Sequence, residues 1–466
     1  MLWGLLMLFA LCNAKRHVVL LREGVGAMAI QSHEEWISSL GVDPLELKGF
    51  TAPGVYGYAG ELTTNQVEQL KQRPEVMAVE EDQTYAIQVY ETPLPAKDNN
   101  ITWESLGDLE AAMIWGDGLY QAKHNILKGR RHFRKHPIKK IYRKNRKRPH
   151  PLLPLIGKKA MASVGNFASI FTRMHYPAFS DSLVIQSTES WGLSRMSQRK
   201  MVYSLDTYIY PKTAGKGVFV YILDTGIDKS HPELSGQVES GINLIDGTVD
   251  TADDNGHGTH CSGIVAGKTF GMAKEATLIP VKILNANGQG TTEHTIMGLI
   301  YVIKEHHKKL KKEKQPKTVI NMSLGGVKSS IMQEIVKRAV KQGIHVIVAG
   351  GNDSADACSY SPASIKSAIT VGAIDRTDDI AIFSNTGKCV DLFAPGVEIT
   401  SAYANGTTRV LSGTSMAAPY VTGLAALYLS EENRSPEELK LLIQSDAFQS
   451  DLIKIASSKL LNLRSE

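Results

Sequence analysis

Between residues 217 and 430, short runs of aliphatic and β-branched residues alternate with longer stretches of helical periodicity. This alternation restricts the fold more than any other feature of the chain. Residues 218–223, 276–281, 318–322, 344–348 and 368–371 are continuously apolar rather than alternating. That is the pattern of strands covered on both faces in a parallel sheet. The intervening stretches 293–314, 331–342 (closed by Gly343) and 415–429 carry helical spacing. The expected class is therefore α/β, a doubly wound and mostly parallel sheet, whose site lies in loops at the C-terminal ends of the strands.

The region ahead of this body reads differently. Residues 2–11 form one unbroken apolar run, about half of the roughly 20 residues that a membrane helix needs. With Asn13-Ala14 ahead of Lys15-Arg16, it fits the apolar core of a signal peptide. A buried helix or strand is the competing reading. Residues 17–22 and 55–59 read as strands, and so do 76–79 and 84–89. A capping box at 32–35 is expected to open one helix ended by Gly41, and residues 64–73 a second one stopped by Pro74. The order is that of a small ferredoxin-like α+β module.

Net charge is +5 over 466 residues, but it is unevenly distributed. Residues 1–122 carry 7 basic and 17 acidic groups, 123–148 carry 13 basic groups and no acid, and 184–466 carry 29 of each. The excess belongs to the N-terminal part, so the α/β body has no general attraction for nucleic acid or anionic membrane. The basic run is read as a flexible linker. Its alternatives are a nucleic-acid-binding segment and, at 143–148, a processing site, which Pro149 disfavours.

Three loops carry candidate chemistry. Asp224 directly follows an apolar strand, and a lone acid there is commonly a cap or turn former. His257 stands between two glycines in Asp254-Asn-Gly-His-Gly-Thr-His260, where a plain turn histidine is the simple reading. Ser415 opens an apolar helix in Gly413-Thr-Ser-Met-Ala-Ala-Pro419, where an N-capping serine is equally ordinary. Together they supply a hydroxyl nucleophile, an imidazole base and a carboxylate to orient it, the set that acyl transfer requires. His257 and His260 have the wrong spacing for a helical zinc pair.

The order Asp…His…Ser with these three motif blocks resembles the subtilisin-like serine proteases, and within them the proteinase K-like branch. The likeness runs from Trp191-Gly-Leu-Ser-Arg195 to the C-terminal helix. The segments 56–60, 74–80 and 82–83 resemble the inhibitory propeptide of the same family. The resemblance implies Ser415 as nucleophile, His257 as general base and Asp224 as its orienter. Asn352, in Val348-Ala-Gly-Gly-Asn352, would be the oxyanion donor beside the Ser415 backbone N–H. The substrate cleft would be walled by Ser323, Leu324, Gly325, Ala349, Gly350 and Gly351, with Gly288 and Gly290 on the opposite rim. No acidic residue stands in either wall segment, which favours apolar or aromatic side chains over basic ones at the residue before the cut.

The resemblance also implies a disulfide between Cys358 and Cys389, and a buried free thiol at Cys261. It implies a structural calcium ion bound by Asp391 with backbone carbonyls at Lys366 and Ala368, an ordinary surface aspartate being the equally open reading, and no cofactor for catalysis. Asn321 and Asn352 lie in glycosylation sequons that are expected to stay unmodified, one in a buried strand and one in the oxyanion loop.

The expected organisation is a signal peptide at 1–14, an inhibitory and chaperoning propeptide at 15–90, a basic linker at 91–183, and a catalytic domain at 184–466. Self-cleavage is expected near residues 182–184. The expected product is a secreted or cell-surface monomeric endopeptidase, a vacuolar one being a further option. It would act on peptides and proteins, have its own propeptide as intramolecular inhibitor, and need neither nucleic acid nor a membrane span. A processing protease of narrow specificity, and an inactive binding protein on the same fold, are the alternatives.

Overall fold

The computed structural model describes residues 14–87, 89, 183–198, 207–450 and 453–457. The apolar run at 2–11 and the basic run at 123–148 lie outside the described residues. Residues 1–92 and 178–466 belong to one compact unit.

Its first part is built from β1 (Lys15–Leu21), α1 (Ala27–Ser39), β2 (Lys48–Ala52), β3 (Val55–Leu62), α2 (Thr64–Lys71) and β4 (Val76–Glu81). The antiparallel sheet order β2-β3-β1-β4 is that of a ferredoxin-like module. One face packs its own helices around Val19, Leu21, Ile37, Leu62 and Leu70. The other face contributes Val18, Leu20 and Phe50 to the core of the α/β body. Alternate residues of β1 point to opposite sides of the pleat, so this one strand serves two cores.

Two sequence expectations are corrected here. Helix α1 starts at Ala27 behind an extended Gly26, so the Ser32–Glu35 motif lies inside the helix and caps nothing. Ala27, Met28 and Ala29 are good helix formers and carry it a turn and a half further back. The run at 84–89 is not a strand of the module. Its part β5 (Thr84–Ala86) pairs instead with two strands of the body.

The body begins with the hairpin β6 (Leu183–Ser187) and β7 (Thr207–Pro211), with α3 (Trp191–Met196) between them. It continues through β8 (Val218–Asp224), β9 (Ile242–Asn243), α4 (His257–Ala266), β10 (Thr277–Lys282), β11 (Gln289–Thr291) and α5 (Thr292–Leu310). Then follow β12 (Lys317–Met322), β13 (Gly325–Val327), α6 (Ser330–Lys341), β14 (His345–Ala349), β15 (Tyr360–Ser361), β16 (Ile369–Ile374) and β17 (Leu392–Pro395). The last elements are the hairpin β18 (Ile399–Tyr403) and β19 (Thr407–Leu411), α7 (Thr414–Glu431), α8 (Pro436–Asp446), β20 (Phe448–Gln449) and β21 (Lys454–Ile455).

The main sheet runs β20-β21-β17-β16-β14-β12-β8-β10-β9 and is parallel except for its β20–β21 edge. Two cores flank it. One packs α4 and α7 against one face, and the other packs α5 and α6 against the opposite face. Burial on both faces is why its strands read as unbroken apolar runs. Helix α7 is buried from Thr414 to Leu429, which explains why its sequence is apolar on every side.

Candidate active site

Asp224 ends β8, and His257 opens α4. Both are buried, and His257 Nδ1 lies 2.8 Å from Asp224 Oδ1. That carboxylate oxygen also accepts the Thr225 N–H at 2.7 Å. The approach depends on Gly258, where a Cβ would stand 2.2 Å from the Gly226 carbonyl. Asp253 caps α4 by accepting the N–H groups of Gly256 and Thr259, both at 2.8 Å, and the Thr225 hydroxyl at 2.8 Å. The Thr225 hydroxyl in turn accepts the Gly258 N–H at 2.9 Å. Asp253 and Thr225 thereby lock the two loops together, a role their sequence did not announce.

Burial disfavours the charged form of His257, but the adjacent Asp224 carboxylate outweighs it and holds the pKa well above the ordinary value. The imidazolium that forms when this histidine accepts a proton is therefore stabilised. His260 behaves oppositely. Burial and the neighbouring His257 push it down to about 3, and its Nε2 lies 3.1 Å from the carbonyls of Ile399 and Arg409. It is a neutral structural residue that ties α4 to the β18–β19 hairpin.

Ser415 lies in the first turn of α7. Pro419, four residues on, has no N–H to give the Ser415 carbonyl. That carbonyl instead accepts the Ser323 hydroxyl at 3.0 Å and the Cys261 thiol at 3.4 Å. The Ser415 hydroxyl donates to the Ser323 carbonyl at 3.1 Å, so the nucleophile is anchored to the end of β12. Asn352 Oδ1 accepts both the N–H and the hydroxyl of Thr414, at 2.9 and 2.7 Å. With both donors of Thr414 on its oxygen, the Asn352 side chain is held in one orientation next to Ser415. Asn385 braces the same loop: its oxygen accepts the N–H groups of Asp353 and Ala355, and its amide donates to the Gly350 carbonyl. Thr414 and Asn385 were not legible in the sequence, because neither belongs to a periodic pattern.

The cleft lies between β11 and β13, and β5 occupies it. Ala86 stands opposite Gln289 and Gly325, and Tyr85 opposite Gly290 and Gly326. Ile87 N donates to the Gly288 carbonyl at 2.9 Å. The cleft thus takes an extended chain by strand addition on both sides. Tyr85 is fully buried, its hydroxyl donating to the Val327 carbonyl at 2.7 Å. A Cβ on Gly326 would stand 2.7 Å from the Tyr85 ring, so the tyrosine fits only because that glycine has no side chain. Gly325 and Gly290 pair with this strand, Gly288 accepts from the residue after it, and Leu324 shares a buried cluster with Tyr85. Ala349 ends β14, and Gly350 and Gly351 lead from it to Asn352.

The N-terminal module grips the body through helix ends. Glu80 accepts the N–H groups of Ser330 and Ile331 and the Ser329 hydroxyl, at 2.6, 3.2 and 2.6 Å. Asp82 accepts the Glu293 N–H at 2.9 Å. Two propeptide carboxylates therefore complement the positive N-terminal ends of α6 and α5. In exchange Glu293 binds Arg16 at 2.6 Å and Lys48 at 3.0 Å. Burial raises the Glu293 pKa, but these two cations outweigh burial and depress it.

A depressed carboxylate contributes docking energy above its ordinary pKa and loses it as pH falls through the lowered value. Glu80→Gln is expected to shorten the lag before activity appears on the order of tenfold, by weakening a charge-assisted cap. Incubation of the unsubstituted chain at pH below the usual carboxylate range should shorten it in the same direction. Timed hydrolysis of a peptide substrate reads both, and a lag unchanged by either would refute the grip.

Cys358 and Cys389 form the expected disulfide, with Cα atoms 5.3 Å apart. Closing a 31-residue separation restricts the unfolded chain by about 3–4 kcal/mol. Cys261 is free and buried, and burial pushes its thiol pKa up. Among the described residues, Asp224, His257 and Cys261 form a group of three ligand-type side chains within 4.8 Å. The histidine nitrogen of that group already faces Asp224. Asp391 lies as expected beside the carbonyls of Lys366 and Ala368. Contrary to expectation, what these oxygens hold is the Lys440 ammonium. No helix among the described residues is long and apolar enough to cross a membrane.

A buried Asp–His pair, a serine anchored on a helix end and a strand-receiving cleft filled by the chain's own N-terminal module define a serine endopeptidase in precursor form. The profile of the Subtilase family matches residues 215–462, and that of Peptidase inhibitor I9 matches residues 16–88. The chain belongs to the subtilase family. It is 36% identical over 353 residues to "Putative subtilisin-like proteinase 1" of Encephalitozoon cuniculi, covering 65% of this chain and 74% of that one. It is 48% identical over 251 residues to "Extracellular serine proteinase" of a Thermus species, covering 53% and 58%. Among solved structures, a cold adapted subtilisin-like serine proteinase superposes with a TM-score of 0.54 at 39% identity, over 59% of this chain and 99% of that one. The chain spans between about half and three quarters of the length of the curated relatives it matches.

Proposed function

We propose that the chain is the precursor of a secreted endopeptidase that cuts itself first within the segment already lying in its cleft. Ser415 Oγ attacks the scissile carbonyl and passes its proton to His257 Nε2, while Asp224 holds Nδ1 and stabilises the imidazolium. Asn352 Nδ2 and the Ser415 N–H donate to the oxyanion. The imidazolium then protonates the leaving amine, and water repeats the cycle in reverse to free the acyl group.

The observation that carries this reading is the strand register. Ala86 stands opposite Gly325, and the pairing is antiparallel. Ser323, two residues before Gly325 on the receiving side, is the residue whose carbonyl accepts the Ser415 hydroxyl, and Gln88 follows Ala86 by the same two residues in the sequence. The bond between Gln88 and Val89 is therefore the proposed first cut. The expected cut near 182–184 becomes a second event that would release the basic linker, since Leu183–Ser187 pairs with Thr207–Pro211 rather than with the cleft. The domain limits 15–90 and 184–466 remain part of this proposal, with the first limit shifted to residue 88.

Glutamine at the cut favours broad acceptance at that position over a strictly aromatic one. The buried Tyr85 supports selection of an aromatic residue three positions earlier. Secretion rests on the N-terminal apolar run and on the extracellular Thermus relative.

Mass spectrometry of the products from wild type and Ser415→Ala tests the proposal. A new N-terminus at Val89 in wild type alone is expected. Equal processing in both, or a first cut near 183 that leaves the bond between Gln88 and Val89 intact, would overturn it.

A further inference from the structure

The oxygens that family resemblance assigns to calcium do not fit a calcium ion in this chain. A calcium ion takes six to eight oxygens at 2.3–2.6 Å. Here three oxygens converge on the Lys440 ammonium: Lys366 O at 3.0 Å, Ala368 O at 2.7 Å and Asp391 Oδ2 at 2.8 Å. An ammonium has three N–H donors, and each finds one acceptor. The remaining direction is filled by the lysine's own chain. Asp391 has no oxygen to spare. Oδ2 also accepts the Thr370 N–H at 2.9 Å, and Oδ1 accepts the amide of Gln444 at 2.9 Å.

Helix geometry makes this arrangement. Lys440 and Gln444 are four residues apart on α8 and so project from one face. Leu439 and Ile443 on the adjoining face are buried and fix the helix against the body. The Lys440 and Asp391 side chains are 20% and 17% exposed. The pair is therefore shielded from the solvent screening that makes surface ion pairs worth little. Asp391 also stands two residues from Cys389, so the same segment is held covalently on one side and ionically on the other.

We propose that Lys440 is a resident cation that substitutes for a divalent ion, tying α8 to Asp391 just ahead of β17 and to the 366–368 loop without metal. A calcium ion could enter only by displacing the lysine, so the chain's stability at this point is independent of calcium supply.

Two measurements on the full-length Ser415→Ala chain, which cannot digest itself, test this. The first is amine acetylation followed residue by residue by mass spectrometry, in chelator and in millimolar calcium. Lys440 is expected to react on the order of tenfold more slowly than exposed Lys71 or Lys308, because three hydrogen bonds must break first, and at the same rate in both conditions. A several-fold acceleration at Lys440 on adding calcium would overturn the proposal. The second is thermal melting of Lys440→Met in chelator. A drop on the order of 5 °C is expected, since removing one partner leaves Asp391 shielded and unpaired. An unchanged melting temperature would show that the ammonium is not structural and would also overturn it. The labelling experiment needs no substitution at this site, so it decides the question even if Lys440→Met does not fold. Neither result depends on where the chain is cut.

Discussion

Full-length chain carrying Ser415→Ala should remain one uncut polypeptide and lose peptide hydrolysis by a factor on the order of 10⁶, the size of loss seen in subtilisin itself. The physical reason, on the proposed function, is that the hydroxyl oxygen forms the acyl bond. His257→Ala should cost about as much, because a serine hydroxyl attacks only when its proton has somewhere to go. The decisive measurement is the double variant. Residues acting as a unit are not additive, so Ser415→Ala with His257→Ala should be no slower than either alone. A double variant slower than both singles by another several decades would mean that the two side chains act separately. Folding is controlled by the melting temperature, which the serine substitution should leave nearly unchanged because it removes one oxygen and opens no large cavity.

The next largest effect is expected at Asn352. Replacing it with leucine keeps the volume but removes the amide proposed to donate to the oxyanion, and kcat should fall by roughly 10²–10³ with little change in KM. The side chain's oxygen end is held by Thr414, so its donor end is pre-aimed and no reorganisation is needed as charge develops. Loss of that aim should be visible separately. Thr414→Val leaves the Thr414 N–H in place but removes one of the two bonds to Asn352 Oδ1. A kcat loss on the order of tenfold, well short of the leucine variant, is expected for a positioning residue. Steady-state kinetics on one peptide substrate compares the two. Equal losses at Asn352 and Thr414, or a loss confined to KM, would argue against the oxyanion role.

Five of the nine strands of the main sheet were legible within three residues at each end, because burial on both faces forces a continuous apolar run; β9, β17, β20 and β21, two to four residues long, were not. Helices α5, α6 and α7 were legible from spacing and caps, and the three catalytic loops from residues whose chemistry is rarely combined by chance. Strand β2 was missed, since Lys48-Gly-Phe-Thr-Ala52 is too short and mixed to signal a period. The capping box at Ser32 misled because a motif of four residues cannot tell whether the chain before it is already helical. The run from Thr84 was read as a strand, but not as one that leaves its own module.

What the sequence determined by itself is local in origin. Backbone periodicity, side-chain volume and the reactivity of Asp224, His257 and Ser415 are properties of short segments, and they carry the fold class and the reaction class. What only the tertiary structure decided is which distant groups meet: Tyr85 with Val327, Glu80 with the end of α6, Thr414 with Asn352, Lys440 with Asp391. A three-residue strand or a single lysine has almost no preference of its own. Its place is set by the unpaired donors and acceptors that folding brings within hydrogen-bond reach, and these come from segments tens to hundreds of residues away.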